Sequence, residues 1–183
     1  MQTTHVPAPA DDWLIVIDAQ AIFADPQTSQ WGSPMWAEVV PRIRDAVEQY
    51  GDRVVFTRFV ADPAPEGSWA AYYEAWPFAQ LPDADPLYAL VPELAGFVTD
   101  GTPVVTMPTF GKWSGLAEIV GPTAQLTLAG VSTDCCVLST ALAAADAGAT
   151  VHVASDLCAG STPQNHTRAL AAMELYGPQI TIT

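Results

Sequence analysis

The chain has 183 residues, half of them hydrophobic and only 14% charged, which suits one ordered globular domain with a sizeable core and excludes a disordered chain. Twenty acidic residues against six basic ones leave a net charge of −14. Such a surface repels phosphate backbones and anionic membranes, so neither nucleic acid nor membrane is expected as a partner, and the charge otherwise reads as solubility.

Residues 1 to 12, with Pro7, Pro9 and an Asp pair, read as a disordered arm. They show no basic start and no apolar stretch of the kind a secretory signal carries, and no aliphatic run in the chain is long enough to cross a bilayer. A soluble, cytoplasmic protein is the expectation. Three cysteines, Cys135, Cys136 and Cys158, are an odd set with two neighbours. Reduced thiols fit that pattern better than a disulfide framework or a zinc cluster.

Trp13-Leu-Ile-Val-Ile17 is a continuous apolar run, the signature of a strand buried on both faces, and it ends at Asp18-Ala-Gln20. Val39, Val40, Ile43 and Val47 recur at helical spacing, predicting a helix over 35–50 closed by Gly51. Arg53 to Thr57 reads as the second strand, with Arg58 just beyond it. Residues 61–86 break the regularity: five prolines punctuate Trp69, Tyr72, Tyr73, Trp76 and Phe78. The cluster either pins a long connection as a small hydrophobic core or forms a pocket wall or subunit contact. A helical stretch is expected over 87–99 and a third strand over 103–107. Then comes Thr109-Phe-Gly-Lys-Trp-Ser-Gly115, which holds Lys112, the only lysine of the chain. A short helix follows over 114–120. Gln125 to Ala129 reads as the fourth strand, and a long helix over 133–147 closes at Gly148. The fifth strand is expected over 150–154, a helix with Pro163 in its first turn over 163–176, and an alternating edge strand over 179–183.

Strand and helix alternate throughout without a fixed repeat, which predicts one α/β domain over 13–183 with a parallel sheet and helices on both faces. Sites in such sheets lie beyond the carboxyl ends of the strands. Asp18, Arg58, Lys112, Cys136 and Asp156 then share one rim. No glycine-rich phosphate loop follows the first strand and no P-loop occurs, so a dehydrogenase or NTPase is disfavoured.

The rim suits a nucleophilic cysteine. If Thr133 caps the helix, the cysteine pair falls in its first turn, where the dipole favours a thiolate by about 0.3–1 kcal/mol. That is about one pKa unit at most and not sufficient alone, so a neighbouring lysine and a carboxylate that can take the thiol proton are needed. Asp18 and Lys112 are the candidates. The plain alternatives are a buried cysteine, a strand-end aspartate and a lysine kept by chance.

Three motifs carry a resemblance. Leu14-Ile-Val-Ile-Asp18-Ala-Gln20-Ala-Ile-Phe23, Lys112-Trp-Ser-Gly, and Gly130-Val-Ser-Thr-Asp-Cys-Cys136-Val137 followed by Thr140-Ala-Leu and Val151 to Asp156 resemble the isochorismatase-like family of cysteine hydrolases. The resemblance implies a Rossmann-like, three-layer α/β/α fold with a six-stranded parallel sheet ordered 3-2-1-4-5-6. It implies a catalytic triad of Asp18, Lys112 and Cys136, with Cys135 the variable position before the nucleophile. It further implies a cis peptide at Val131-Ser132 and an oxyanion hole from the backbone N–H groups of Ser132 and Cys136. Gln20 and Val131, as positions of these motifs, join the expected substrate-binding set. The implied reaction is hydrolysis of a small amide or carbamoyl C–N bond through a Cys136 thioester, by a homodimer or homotetramer acting on a small-molecule substrate.

The sequence departs from the nicotinamidases of that family, which carry an Asp-x-His and a further His as metal ligands after the second strand. Here that region reads Arg58-Phe-Val-Ala-Asp62-Pro-Ala-Pro-Glu66, and His5, His152 and His166 are not spaced for one zinc site. No metal and no other cofactor is expected. Arg58 could grip a substrate carboxylate or simply pair with one of many acids. Phe23, Trp113 and the cluster containing Trp69, Tyr73 and Trp76 are candidates to line an apolar pocket. Cys158 is expected to pack, and His166 to be structural. Two alternatives remain beside the cysteine amidohydrolase: vinyl-ether hydrolysis of the isochorismatase type, and a non-catalytic binding module that retains the fold.

Overall fold

The structure, a computed structural model, describes residues 11–183. Six strands form one all-parallel sheet in the order β3-β2-β1-β4-β5-β6. They are β1 (Asp12–Ile17), β2 (Val54–Phe59), β3 (Val104–Met107), β4 (Gln125–Val131), β5 (Thr150–Ala159) and β6 (Ile180–Ile182). The helices are α1 (Ala21–Ala24), α2 (Trp36–Tyr50), α3 (Ser68–Ala75), α4 (Pro92–Ala95), α5 (Trp113–Val120), α6 (Leu138–Asp146) and α7 (Pro163–Glu174). Among the described residues, no helix is long and apolar enough to cross a membrane.

The apolar run of β1 explains the layering. Leu14 and Val16 point into a core shared with α2, α3 and α4, while Ile15 and Ile17 point into a second core shared with α5, α6 and α7. All four are fully buried, because a strand with helices on both faces has no solvent side.

Most of the arm expected over residues 1–12 lies outside the described residues, but Asp12 opens β1 and is buried. Its Oδ2 accepts from the Tyr50 hydroxyl (2.8 Å) and the Thr127 hydroxyl (2.7 Å). The helix expected over 87–99 reduces to a single 3-10 turn at Pro86–Tyr88 and the four residues of α4. Pro86 and Pro92 each restart the chain, and Gly96 follows at once. β5 runs five residues further than the apolar pattern indicated. An irregularity between Leu128 and Gly130 on β4 lets pairing resume at Cys158 and Ala159. Arg58, Asp156 and Cys158 therefore lie within strands rather than after them.

β1 and β4 lie side by side at the centre, where strand order reverses. Gly130, at φ +113°, makes their ends meet: a Cβ there would fall 2.1 Å from the Ile17 carbonyl oxygen. No side chain fits that approach, and the crevice beyond this junction is where an open α/β sheet places its site.

Candidate active site

Asp18 leaves β1 with φ 46°, a left-handed conformation that aspartate tolerates better than most residues. Thr57 of β2 holds it at two points. The Asp18 N–H donates to the Thr57 hydroxyl oxygen (3.0 Å), and that hydroxyl donates to Asp18 Oδ1 (2.6 Å). The Lys112 ammonium lies 3.1 Å from Asp18 Oδ2, with both side chains fully buried. Lys112 Nζ also donates to the Thr109 carbonyl and sits 5.4 Å from the Phe59 ring centroid.

The cysteine turn differs from a simple helix start. Thr133–Val137 form a π-helical turn that runs into α6, a distortion frequent at functional sites. Thr133 makes no cap. It is buried, and its hydroxyl bonds His166 Nδ1 (2.9 Å), while Ser132 is the residue preceding the turn. The N–H groups of Cys135 and Val137 both donate to the Ser132 carbonyl (3.0 and 3.1 Å). Among the described residues no turn or loop bond uses the N–H of Ser132 or Cys136. The Val131–Ser132 peptide is cis. Thr140 ties the turn to the lysine loop, accepting from the Lys112 N–H (3.1 Å) and donating to the Cys136 carbonyl (2.7 Å).

Cys136 is buried beside Asp18, close enough for the carboxylate to act on its thiol. Burial first, and the charge of Asp18 second, push its pKa well up, and Lys112 opposes them. The resting group is therefore a thiol beside a base, not the dipole-stabilised thiolate that a first-turn position suggests. Asp18 Oδ2 has no well-aligned hydrogen bond from another protein group, although the ammonium is 3.1 Å away.

A pocket of about 390 Å³ opens above this cluster, at the small end for ligand sites. Phe23, Trp76, Ser132 and Cys136 line it, together with Gln30, Trp31, Phe59, Tyr72, Phe110, Asp134, Cys135 and Ser161. Burial raises the Cys135 thiol to about 11, helped by Asp134, although the residue is exposed at the rim.

The other residues expected to bind substrate stand elsewhere. Gln20 is buried and spent on the backbone: its amide donates to the Phe59 and Tyr88 carbonyls (2.9 and 2.8 Å) and accepts from the Phe59 N–H (2.7 Å). Arg58 pairs with Asp83 (2.7 Å) and reaches the Tyr88 carbonyl. Trp69 packs behind the pocket wall on Tyr72 and Phe110, and Tyr73 is buried beside it. Trp113 is buried in the opposite core with Val105 and Leu116, and Val131 is buried beneath the turn. The pocket residues not foreseen are Gln30, Trp31, Gly32, Phe59, Phe110, Asp134 and Ser161, and Thr57 and Thr140 are unforeseen supports. Asp134 and Phe110 lay inside motifs already singled out. Trp31 sits in a loop that offers no periodicity.

A doubly wound parallel domain with a buried acid, lysine and thiol at its switch point defines a class of α/β protein rather than one activity. Residues 12–183 match the Isochorismatase domain, and the chain belongs to that family. The fold recurs in a zinc complex of a pyrazinamidase of Pyrococcus horikoshii (21% identity, 94% of this chain and 98% of that one, TM-score 0.73). It recurs in a cysteine hydrolase from Pseudomonas syringae pv. phaseolicola (16%, 97% and 92%, TM-score 0.77). A third is a pyrazinamidase/nicotinamidase from Streptococcus mutans (23%, 93% and 99%, TM-score 0.73). No curated protein sequence matches the chain. The likenesses show a shared fold, and the family match makes the protein a member of the isochorismatase-like family.

The residues do not fit a zinc ion. Among the described residues no three of His, Cys, Asp and Glu gather to hold a metal. At the end of β2, Phe59 turns a ring to the pocket, and beyond it the Asp62 carboxylate accepts from the Ala64 N–H in an exposed turn (2.9 Å). His152 bonds Thr181 and His166 bonds Thr133.

Proposed function

We propose that the protein is a cysteine hydrolase that cleaves a C–N bond of a small amide or carbamoyl compound, using its own side chains without a metal. The observation that carries this reading is the fully buried Asp18–Lys112 pair with the Cys136 thiol against the carboxylate. A raised thiol pKa next to a base suits proton transfer coupled to attack.

In this reading the Cys136 proton passes to Asp18 as sulfur attacks the carbonyl carbon. Lys112 then loses its full counter-charge and stabilises the new thiolate electrostatically. The N–H groups of Ser132 and Cys136 receive the oxyanion. As the C–N bond breaks, Asp18 returns the proton to the departing nitrogen. Water attacks the thioester, Asp18 takes its proton, and the acid leaves as Cys136 regains a proton.

Steady-state hydrolysis of simple carboxamides tests the reading against vinyl-ether chemistry, which needs no nucleophilic sulfur. Cys136→Ala and Asp18→Asn should both abolish ammonia release while the circular dichroism spectrum stays unchanged. Full turnover by Cys136→Ala would overturn the thioester route.

A further inference from the structure

The pocket wall is made of six rings, Phe23, Trp31, Phe59, Tyr72, Trp76 and Phe110. Trp31 is their hub. It stacks on Phe23 (5.9 Å between centroids, 3° between planes), meets Phe59 and Trp76 edge-on (6.0 Å each) and tilts against Tyr72 (5.7 Å). Its loop is held firmly. A Cβ at Gly32 would fall 2.1–2.3 Å from the backbone of Asp25 and Pro26, and the next residue, Ser33, is buried and donates to the Gly160 carbonyl (2.6 Å).

One charged rim group joins these rings. Asp134 accepts from the Ser132 hydroxyl (3.0 Å), the Ser161 N–H (2.8 Å) and the Ser161 hydroxyl (2.6 Å), and Asn165 in turn donates to that Ser161 hydroxyl (3.0 Å). The carboxylate is thus fixed in place by neutral donors. Among the described residues no lysine or arginine pairs with it, and none but the buried Lys112, already paired with Asp18, stands at the site. The ring faces carry negative potential, Asp134 adds to it, and the chain's net charge of −14 extends it outward.

We propose that this pocket recognises the cationic end of its substrate, an alkylated ammonium on a small amide, with Trp31 and Trp76 as cage walls and Asp134 as counter-charge. This deepens the hydrolase reading and rests on it for the chemistry, but not for the binding. A quaternary ammonium has no N–H to donate, and it gains from aromatic faces what it loses in hydration. A carboxylate-bearing substrate would meet Asp134 with no cation to offset it. Trp31 and Asp134 become specificity-determining residues.

Three amides test it: trimethylammonioacetamide, its isosteric neutral carbon analogue 3,3-dimethylbutanamide, and the smaller, anionic malonamate. Hydrolysis is followed on the wild type, and binding by tryptophan fluorescence on the Cys136→Ala protein. The cation should exceed the neutral analogue by about tenfold in kcat/KM and in affinity, as a cation–π site with a counter-charge gives, with the anion weakest. Asp134→Asn and Trp31→Leu should erase most of that ratio, whereas a merely structural role would lower the cation and its neutral analogue alike. Equal handling of cation and neutral analogue, a preference for malonamate, or no binding of any would overturn the proposal. Selective binding of the cation without hydrolysis by the wild type would uphold it and remove the hydrolase reading instead.

Discussion

The buried Asp18–Lys112 pair should be strongly coupled without adding to stability. The charges lie 3.1 Å apart with no exposure, so at an effective dielectric of about 20 their attraction is about 5 kcal/mol. Desolvation of two ions in that position is of similar size, and the net contribution is close to zero. Removing one partner strands the other. Asp18→Asn and Lys112→Met should therefore each cost about 3–5 kcal/mol, whereas the double variant, with no buried charge, should cost less than either single. Urea unfolding followed by circular dichroism gives the three differences, and a coupling of at least about 3–5 kcal/mol is expected. All three variants should be inactive. Single costs that add to within about 0.5 kcal/mol would refute the reasoning, because uncoupled groups do not share a site.

Three more outcomes follow from the same geometry. Asp18→Asn removes two of the causes that raise the Cys136 pKa; its iodoacetamide labelling, read on the Cys136 peptide, should shift to lower pH even as turnover is lost, and a shift to higher pH would contradict the assignment. Gln20→Leu strips the amide partner from the Phe59 N–H and carbonyl, each worth about 1–3 kcal/mol when left unsatisfied, while the Tyr88 carbonyl keeps Arg58. Thermal melting should fall by at least about 4 °C, at about 2 °C or more per kcal/mol, and an unchanged midpoint would show that the amide is not structural. Burial lowers the His166 pKa, so the unfolded chain binds the proton more readily and stability should decline as pH drops below about 6.5, the unfolded value. His166→Asn should melt lower overall yet lose less between pH 7 and pH 5, and identical slopes would deny the link.

The alternation of strands and helices and the placing of Asp18, Lys112 and Cys136 on one rim follow from features that are local in sequence, whereas the sheet order is implied by the family resemblance alone. A five-residue apolar run marks a strand covered on both faces, a lone lysine marks a loop, and paired cysteines after Gly130 mark a turn. The pocket wall is different in kind. Trp31, Phe59 and Phe110 come from three separate segments, and nothing in the spacing of any one segment says which way its ring points. Trp113 and Trp69 show the converse, since aromatic residues beside a motif can face a core or the back of a wall. Thr57 and Thr140 were hidden because a threonine in a strand or helix carries no mark of the hydrogen bonds its hydroxyl will make. The π-turn has no local mark either, and Thr133 at its start is held by His166, 33 positions away.

The central claim is that sulfur of Cys136 becomes covalently acylated. Wild-type protein mixed with a small carboxamide, quenched in acid within the first turnovers and digested, can be read by mass spectrometry at the peptide holding Cys135 and Cys136. The expected result is the acyl mass on Cys136, absent in Asp18→Asn and in Cys136→Ala. Steady hydrolysis with no acyl group on that peptide, or an acyl group on Cys135 alone, would contradict it.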